Sequence, residues 1–242
     1  MIFKYLAISF LTLFLHQSLS SQTITSQADW DVFGGSFANR NIEIATGADI
    51  VSTDGMTIIG GTLVIRDGGS LTIAEGFMSL QSTTIIVNGT FDADVEINMI
   101  QSDINNISGT LVLGDLIMNG GNERSTIVNF NNMTTTSDIF MFGDNLIRSD
   151  DLWTAMGSIN ISSGGEISLR SDHVYTGVSN FDGAGTVTND GTINSIGDFS
   201  ILSEISFVNN GNILNVPGEL IIDTDATFIN NGELSILSDG MD

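Results

Sequence analysis

Several residue types are scarce or missing in this chain of 242 residues, and each absence narrows what it can be. There is no cysteine, which excludes disulfides, thiolate catalysis and cysteine-ligated zinc. A single proline, Pro217, stands against 27 glycines, which excludes a collagen-like or proline-rich disordered chain. Aromatic residues make up only 7% of the sequence while hydrophobic residues make up 41%, so the apolar residues are mostly aliphatic and favour strands.

Positive charge is also scarce, and the formal net charge is −23. Beyond Lys4, the fixed cations are five arginines: Arg40, Arg66, Arg124, Arg148 and Arg170. A surface this negative repels phosphate backbones, so we expect no nucleic-acid partner. For calcium we expect adventitious association alone, since no EF-hand loop or repeat-toxin nonapeptide occurs and Asp182–Gly185 has the composition of a turn.

Residues 1–20 have the three parts of a secretory signal peptide. Lys4 supplies the positive charge, and residues 6–15 form an apolar run too short to span a bilayer. Ser18 and Ser20 are small residues suited to a cleavage site after residue 20. We therefore predict a secreted protein, located outside the cell or on a bacterial cell surface.

The C-terminal third contains a clear internal repeat of the form apolar–x–Asn–x–Gly–x–apolar. Its glycines, Gly191, Gly211 and Gly232, are 20 and then 21 residues apart. Apolar residues keep the same spacing in the two columns Val187, Phe207, Phe228 and Ile193, Ile213, Leu234. Independent columns with one shared period predict a repeat architecture.

The N-terminal half repeats the pattern more weakly. Gly47, Gly68, Gly89 and Gly109 are separated by 21, 21 and 20 residues. The same period predicts three apolar columns, which are Leu71, Phe91, Leu111, then Ile65, Ile86, Ile107, and finally Phe77, Ile97, Ile117.

Within each period, short runs alternate apolar and polar residues and are separated by Gly, Asn and Asp, as expected of strands joined at tight corners. A unit of this size cannot close its own hydrophobic face, but stacked units bury a continuous core. The predicted fold is therefore all-β, a single-stranded parallel β-helix with coils of 20–21 residues. We expect the asparagines of the Asn-x-Gly corners to bond from coil to coil in internal ladders.

Departures from the period suggest how the chain is organised. Residues 21–43 lack the repeat and include Trp30, Phe33 and Phe37, so they are predicted to cap the first coil. The β-helix is expected over 44–242, with an irregular or loop-bearing stretch at 119–157. Because the sequence stops in mid-repeat, we expect a continuation of the solenoid or another chain to cover the last coil.

The Asn-Asn-Gly units resemble the repeats of right-handed parallel β-helices in secreted bacterial adhesins and autotransporter-type passenger domains. The resemblance covers most of the mature chain, although its motifs are generic to the architecture. It implies a right-handed, surface-exposed protein with an adhesive or scaffolding role, and glycans or another surface protein as partners.

Few residues are candidates for catalysis. His173 is the only histidine after the signal peptide, and the pairs Asp92, Asp94 and Asp223, Asp225 are spaced to leave one strand face. We predict no catalytic, cofactor-binding or metal-binding residue, and a non-enzymatic adhesin-like or structural stalk module. The alternatives are a polysaccharide lyase or hydrolase, which needs three or more carboxylates converging in a groove beside His173 or an arginine, and an ice- or mineral-binding surface.

Overall fold

A computed structural model of the chain describes residues 21–34, 36–120, 123–170, 172–175, 179–195, 198–216 and 219–236. It is 64% strand and 4% helix, and its parallel strands stack as a β-solenoid of about 10 turns with about 20 residues per coil. The prediction of an all-β parallel β-helix is thus confirmed. The predicted signal peptide lies outside the described residues.

The described residues form one helix, α1 (Gln27–Phe33), and two parallel sheets whose strands are numbered in chain order. The 16-stranded sheet consists of β1 (Ser21–Ile24), β2 (Phe37–Ile44), β4 (Met56–Ile65), β6 (Phe77–Val87), β8 (Glu96–Ile100), β9 (Asp103–Asn106), β11 (Leu116–Asn119), β12 (Ser125–Asn129), β14 (Ile139–Phe142), β15 (Asn145–Ser149), β17 (Ile159–Leu169), β19 (Ser179–Asn189), β21 (Phe199–Ile201), β22 (Ser206–Asn209), β24 (Leu220–Ile222) and β25 (Thr227–Asn230). The 10-stranded sheet consists of β3 (Asp49–Ser52), β5 (Ser70–Ile73), β7 (Thr90–Ala93), β10 (Thr110–Leu113), β13 (Met133–Thr135), β16 (Trp153–Ala155), β18 (Asp172–Tyr175), β20 (Thr192–Ser195), β23 (Asn212–Val216) and β26 (Glu233–Ile236).

Each coil has three faces. The larger sheet supplies two of them: β8, β11 and β14 lie on face 1, and β9, β12 and β15 lie on face 2. Long strands such as β4 and β6 cover both faces, because β8 pairs with the first half of β6 and β9 with the second half. Backbone with positive φ at Gly60 and Gly61 turns β4 at the corner. The smaller sheet forms face 3.

Side chains alternate between the core and the surface along every face. On face 2 one inward column of nine residues runs through successive coils, and all but the last are buried: Leu63, Ile85, Ile104, Ile127, Ile147, Ile167, Val187, Phe207 and Phe228. Toward the C-terminal end the core becomes aromatic, with the rings of Phe181 and Phe207 5.4 Å apart. The core is thus a continuous stack rather than a closed globule.

A buried asparagine ladder joins the coils at the corner between faces 2 and 3. The Nδ2 of Asn189 donates to the Oδ1 of Asn209 at 2.7 Å, and the Nδ2 of Asn209 donates to the Oδ1 of Asn230 at 2.6 Å. The same amides also donate to backbone carbonyls of the next coil, at Asn212 and Glu233. The predicted internal ladder is present. A shift in the register between coils would leave its buried amide donors without acceptors, so the ladder favours the observed alignment.

Glycine is required at these corners because the coils approach too closely for a side chain. A Cβ atom on Gly211 would lie 2.0 Å from the carbonyl oxygen of Gly191, and one on Gly232 would lie 1.7 Å from that of Gly211. The three glycines of the repeat are therefore stacked directly along the solenoid axis.

Two of the predicted apolar columns in the N-terminal half are wrong, while the column Leu71, Phe91, Leu111 is confirmed. Ile65 aligns with Val87 and then Asn106, which leaves Ile107 46% exposed. Coils differ in length by one or more residues, and a one-residue slip moves a side chain from the core to the surface.

The third predicted column fails for the same reason. Ile97 is buried as expected, but it aligns with Met78 and Leu116. Phe77 is 58% exposed and pairs with Glu96, and Ile117 lies on the outer side of β11. A fixed step of 20 or 21 residues cannot follow coils of varying length.

The N-terminal end of the stack is covered by α1. Trp30 is buried at 3% exposure, and its ring lies 5.7 Å from that of Phe33. The side-chain amide of Gln27 accepts a hydrogen bond from the N–H of Val51 and donates to its C=O. Val51 lies on β3, the first strand of the smaller sheet, so Gln27 satisfies a sheet edge that otherwise faces solvent.

Parallel stacking starts earlier than the sequence predicts. Strand β1 pairs in parallel with β2 from Ser21 to Ile24, within the stretch expected to be a cap. Residues 21–43 therefore combine a first coil with the helix that covers it. The alternation Thr23-Ile24 is too short to show this by itself.

The described residues of the stretch 119–157 show the predicted irregularity as a change in coil length. In its described residues the strands β12 to β16 pair in parallel with their neighbours. The ladder residues Asn106 and Asn129 are 23 residues apart, whereas Asn129 and Ser149 are 20 apart. One longer coil explains the loss of period, and the stack continues through it.

We expect Asn209→Ala to lower the free energy of unfolding by about 1–3 kcal/mol, because it removes one of the two acceptors of the buried Asn189 amide and the amide that Asn209 donates to Asn230. Urea unfolding followed by circular dichroism measures the change. Asn210→Ala is the matched control: this neighbouring asparagine forms an exposed ladder with Asp190 and Asn231, and its loss should cost about 0.5 kcal/mol or less. Equal effects would contradict the buried-ladder assignment.

Gln27→Ala should expose the edge of β3 and speed hydrogen exchange at the Val51 amide, whose N–H bonds the Gln27 side chain. The expected loss of stability is about 1 kcal/mol, the net contribution of such hydrogen bonds. Gln81→Ala, on the exposed side of face 1, is the control and should leave Val51 exchange unchanged. Unchanged exchange in the Gln27 variant would show that α1 does not protect this edge.

Candidate binding surface

The outer sides of the faces are covered mainly by small polar and β-branched side chains. On face 2 one outward column reads Thr62, Thr84, Asp103, Thr126, Leu146, Glu166, Thr186, Ser206 and Thr227. Threonine recurs in it, but Asp103, Leu146 and Glu166 interrupt the array. A flat, regular threonine lattice, as the ice- or mineral-binding hypothesis requires, is absent from this column of the described residues.

An ion-pair network ties the middle coils together. The Nε of Arg124 lies 2.8 Å from the Oδ1 of Asp144, and its Nη2 lies 3.1 Å from the Oε2 of Glu166. Arg148 forms a bidentate pair with Asp150. The Arg124 pairs bridge coils, whereas the Arg148–Asp150 pair lies within one coil. Ion pairs that remain accessible to solvent contribute little stability individually.

The network does not form the constellation that a polysaccharide-acting enzyme needs. Arg124 holds two carboxylates, each of them engaged in an ion pair, whereas the enzyme hypothesis requires three or more converging in a groove. Each carboxyl pKa that is shifted in the described residues is lowered. Hydrogen bonds from the Thr25 side chain, the Arg66 side chain and the Thr224 backbone lower the pKa values of Asp29, Glu43 and Asp223, respectively.

Two aromatic rings stand on the outer side of face 1. Phe140 and Phe142 alternate in β14 with the buried residues Ile139 and Met141, so both rings lie at the surface, Phe142 with 46% exposure. Phe140 is aligned with Asn160 in the next coil. Partly exposed aromatic rings on a rigid strand offer apolar contact area at low entropic cost.

The next coils complete a shallow cavity of about 90 Å³ beside these rings. It is lined by Phe140, Phe142, Asn160, Ile161, Asp182 and Gly183. We call Phe140, Phe142, Asn160 and Asp182 the aromatic patch. It combines two rings with an amide and a carboxylate, which is the mixture of apolar contact and oriented polar groups that binds small ligands.

Asp182 and Gly183 hold the far side of the aromatic patch. The Oδ1 of Asp182 accepts hydrogen bonds from the Gly183 N–H at 2.7 Å and from the Ser203 hydroxyl at 2.6 Å. Gly183 has φ 109°, and a Cβ there would lie 1.8 Å from the carbonyl oxygen of Ile161. The carboxylate is therefore fixed in place by its own strand and by the following coil.

The sequence does not single out Asn160 or Asp182 for this role. Its composition predicts a turn at Asp182–Gly185, but these residues lie inside β19 and pair with β17, where the register shifts between Ile161 and Gly165. In that pairing Asp182 is aligned with Asn160. No signal within the sequence predicts the shift, although the run 139–142 lies in the stretch expected to be irregular.

The other predicted candidates do not come together in the described residues. His173 lies in β18, aligned with Trp153 and Ile193, both of which are buried. Asp223 and Asp225 lie in the turn between β24 and β25, so the prediction that they leave one strand face is wrong.

The remaining acidic pair is also divided. Asp92 is on the outer side of β7, and Asp94 follows the end of that strand. The hydroxyl of Thr136 donates to Asp94. The side chain beside Asp94 is therefore a threonine and not a third carboxylate.

No group of three or more His, Cys, Asp or Glu side chains within the described part of the chain is placed to hold a metal ion. Among the same residues, no helix has the length and apolarity to cross a membrane.

Comparison with known proteins adds no relative. No protein-family description, curated protein or solved structure matches the chain.

Gly183→Ala should destabilise the protein and deform the aromatic patch, because the new Cβ would overlap the Ile161 carbonyl. Gly143→Ala is the matched control, since Gly143 also has positive φ (81°) but nothing lies within 4 Å of the position that its Cβ would take. We expect about 1 kcal/mol from backbone strain in the control and at least about 2–3 kcal/mol in Gly183→Ala, measured by urea unfolding. Similar losses in the two variants would refute the close approach at Gly183.

Proposed function

We propose that this protein is a non-enzymatic, secreted or cell-surface β-solenoid that serves as a structural stalk and adhesive module. Its aromatic patch is the contact site, and neutral glycans are the class of ligand. The observation that carries the proposal is the pairing of Phe140 and Phe142 with Asn160 and Asp182 on three adjacent coils of a rigid stack.

The chemistry of the aromatic patch suits a sugar. The C–H face of a pyranose ring packs on aromatic rings, while its hydroxyl groups bond amide and carboxylate oxygens. The cavity of about 90 Å³ has the volume of about three water molecules in the liquid, so it holds an edge of a sugar rather than a whole ring. A contact this shallow is weak by itself and becomes adhesive when many copies engage a surface together.

The charge of the protein favours an uncharged ligand. With a net charge of −23 the solenoid repels acidic polysaccharides as well as nucleic acids. Asp182 adds a negative group at the aromatic patch itself, which disfavours uronates and sulfated sugars there. Neutral glycans are repelled neither by the net charge of the protein nor by Asp182.

The architecture suits a stalk for a separate reason. Backbone and side-chain hydrogen bonds run along the axis from coil to coil, so length increases by repetition without a new core. The cell-surface location follows from the predicted signal peptide and from the resemblance to adhesin-like repeats. Both remain predictions.

Binding to immobilised neutral polysaccharides tests the proposal. Multivalently displayed protein should be retained on at least one neutral polysaccharide, and Phe140→Ala/Phe142→Ala should reduce retention at least about tenfold, because stacking contacts of this kind are worth on the order of 1 kcal/mol each. Phe77→Ala, which removes a more exposed ring elsewhere on the surface, should bind like the unmodified protein.

Two results would overturn the proposal. One is equal retention of the double variant and of Phe77→Ala. The other is release of reducing ends or of unsaturated products from any bound polysaccharide, which would place the protein among the polysaccharide-acting enzymes.

A further inference from the structure

A second cavity, of about 430 Å³, lies between α1 and the turn that joins β3 to β4. We call it the helix cavity, and it is lined by Trp30, Asp31, Gly34, Ser36 and residues 51–55. It has the volume of about 14 water molecules in the liquid. Pockets for small molecules measure about 300–1,000 Å³, so the helix cavity is large enough for one sugar ring with its substituents.

Hydrogen bonds and close packing hold the walls of the helix cavity in place. Gln27 binds the backbone of Val51 and so fixes α1 against β3. In the facing turn the hydroxyl of Ser52 donates to the C=O of Gly55 at 3.1 Å. A Cβ atom on Gly55 would lie 2.5 Å from the carbonyl oxygen of Phe77, so this turn packs directly on the next coil. The cavity is therefore part of the folded structure and needs no rearrangement to form.

Trp30 brings an unsatisfied hydrogen-bond donor to the helix cavity. Its side chain is 3% exposed, and its indole N–H has no acceptor among the residues that the structure describes. This N–H is nevertheless not sealed from solvent, unlike the unpartnered Oδ1 of Asn98. Buried polar groups nearly always have a partner, and an indole N–H can only donate. An oxygen atom of a ligand in the cavity would supply the acceptor.

The charge at the helix cavity is negative. Its lining contains the exposed carboxylates of Asp31 and Asp54 and, in the described part of the chain, no basic side chain. The Oδ1 of Asp31 accepts a hydrogen bond from the Gln27 side chain at 2.7 Å, which holds this carboxylate beside the cavity. In a protein of net charge −23, two carboxylates without a basic neighbour attract a cation.

We propose that the helix cavity binds an amino sugar through its protonated amine and its hydroxyl groups. The ammonium group pairs with Asp31 and Asp54 in charge-assisted hydrogen bonds, and a hydroxyl oxygen of the ring accepts from the Trp30 N–H. A metal ion would fill little of the volume and would leave the indole N–H without an acceptor. A neutral sugar would leave both carboxylates without a counter-charge.

Nuclear magnetic resonance of the purified protein gives the first test, because the chain has two tryptophans. Titration with glucosamine should shift the indole N–H resonance of Trp30, which Trp30→Phe assigns by removing it. The Trp153 resonance should stay unchanged, since its N–H donates to the Thr135 hydroxyl in the core at 3.1 Å. Glucose, with a hydroxyl in place of the amine, should bind at least about tenfold more weakly, because hydrogen bonds between charged groups are stronger.

A charge-removing variant gives the second test. Asp54→Asn should weaken glucosamine binding at least about tenfold and abolish the preference over glucose. Asp67→Asn is the matched control, because Asp67 is also exposed and also precedes a glycine with φ 71°, but it lies between β4 and β5. This control removes the same charge from the protein and should bind like the unmodified chain.

Salt and chain length of the ligand complete the design. Raising the salt concentration from 0.1 M to 1 M should weaken glucosamine binding and not glucose binding, since the Debye length falls from about 10 Å to about 3 Å. A glucosamine dimer separates two sources of the ligand. Binding of the dimer would assign the helix cavity to the end of an amino-sugar polymer, and its exclusion would assign it to the free sugar.

The proposal is wrong if glucosamine leaves the Trp30 resonance unmoved, if glucose binds as tightly as glucosamine, or if Asp54→Asn and Asp67→Asn bind alike. None of these results concerns Phe140 and Phe142, which lie on other coils of the stack. Glycan binding at the aromatic patch and amino-sugar binding at the helix cavity therefore fail separately.

Discussion

The register between neighbouring coils is the constraint on which the rest of this protein depends. Parallel strands alone tolerate several alignments, but the buried asparagines do not, because each must find an acceptor in the next coil at the same depth. Once Asn189, Asn209 and Asn230 are aligned, the neighbouring Phe and Ile columns fall inside and the glycine corners meet. In the coils that carry the ladder, polar core side chains therefore reinforce the alignment that the alternating apolar pattern sets, whereas Ile65 and Val87 occupy the same position in earlier coils.

A stack held by axial contacts exposes strand edges and core wherever its first coil is not covered. At the N-terminal end Gln27 bonds the backbone of Val51, and Trp30 of the same helix is buried. In the last described coil Phe228 and Leu234 continue the core columns of Phe207 and Ile213, and both are half-buried. In one-dimensional stacking each coil forms the surface on which the next coil packs.

The outward positions on the sides of the stack accept more residue types than the core positions do, so their sequence gives weaker evidence of function. Outward positions accept Thr, Val, Asn or charged residues without affecting the register, as the interrupted threonine column of face 2 shows. The strong negative charge keeps such a surface soluble and selects against anionic partners. Phe140 and Phe142 differ from the other exposed rings, Phe77 and Phe130, because they lie together beside Asn160 and Asp182.

The sequence by itself determined the parallel β-helix, because the period of 20–21 residues, the alternation and the Asn-x-Gly corners all report on local backbone and burial. It also determined the ladder through Asn189, Asn209 and Asn230. It failed at Phe77 and Ile107, because a fixed step cannot reveal which residue an insertion displaces where coil lengths vary. Only the tertiary structure decided that Asp182 lies in a strand opposite Asn160, that β1 belongs to the stack, and that Gln27 reaches Val51. Each of these depends on contacts between coils, whose alignment no single coil encodes.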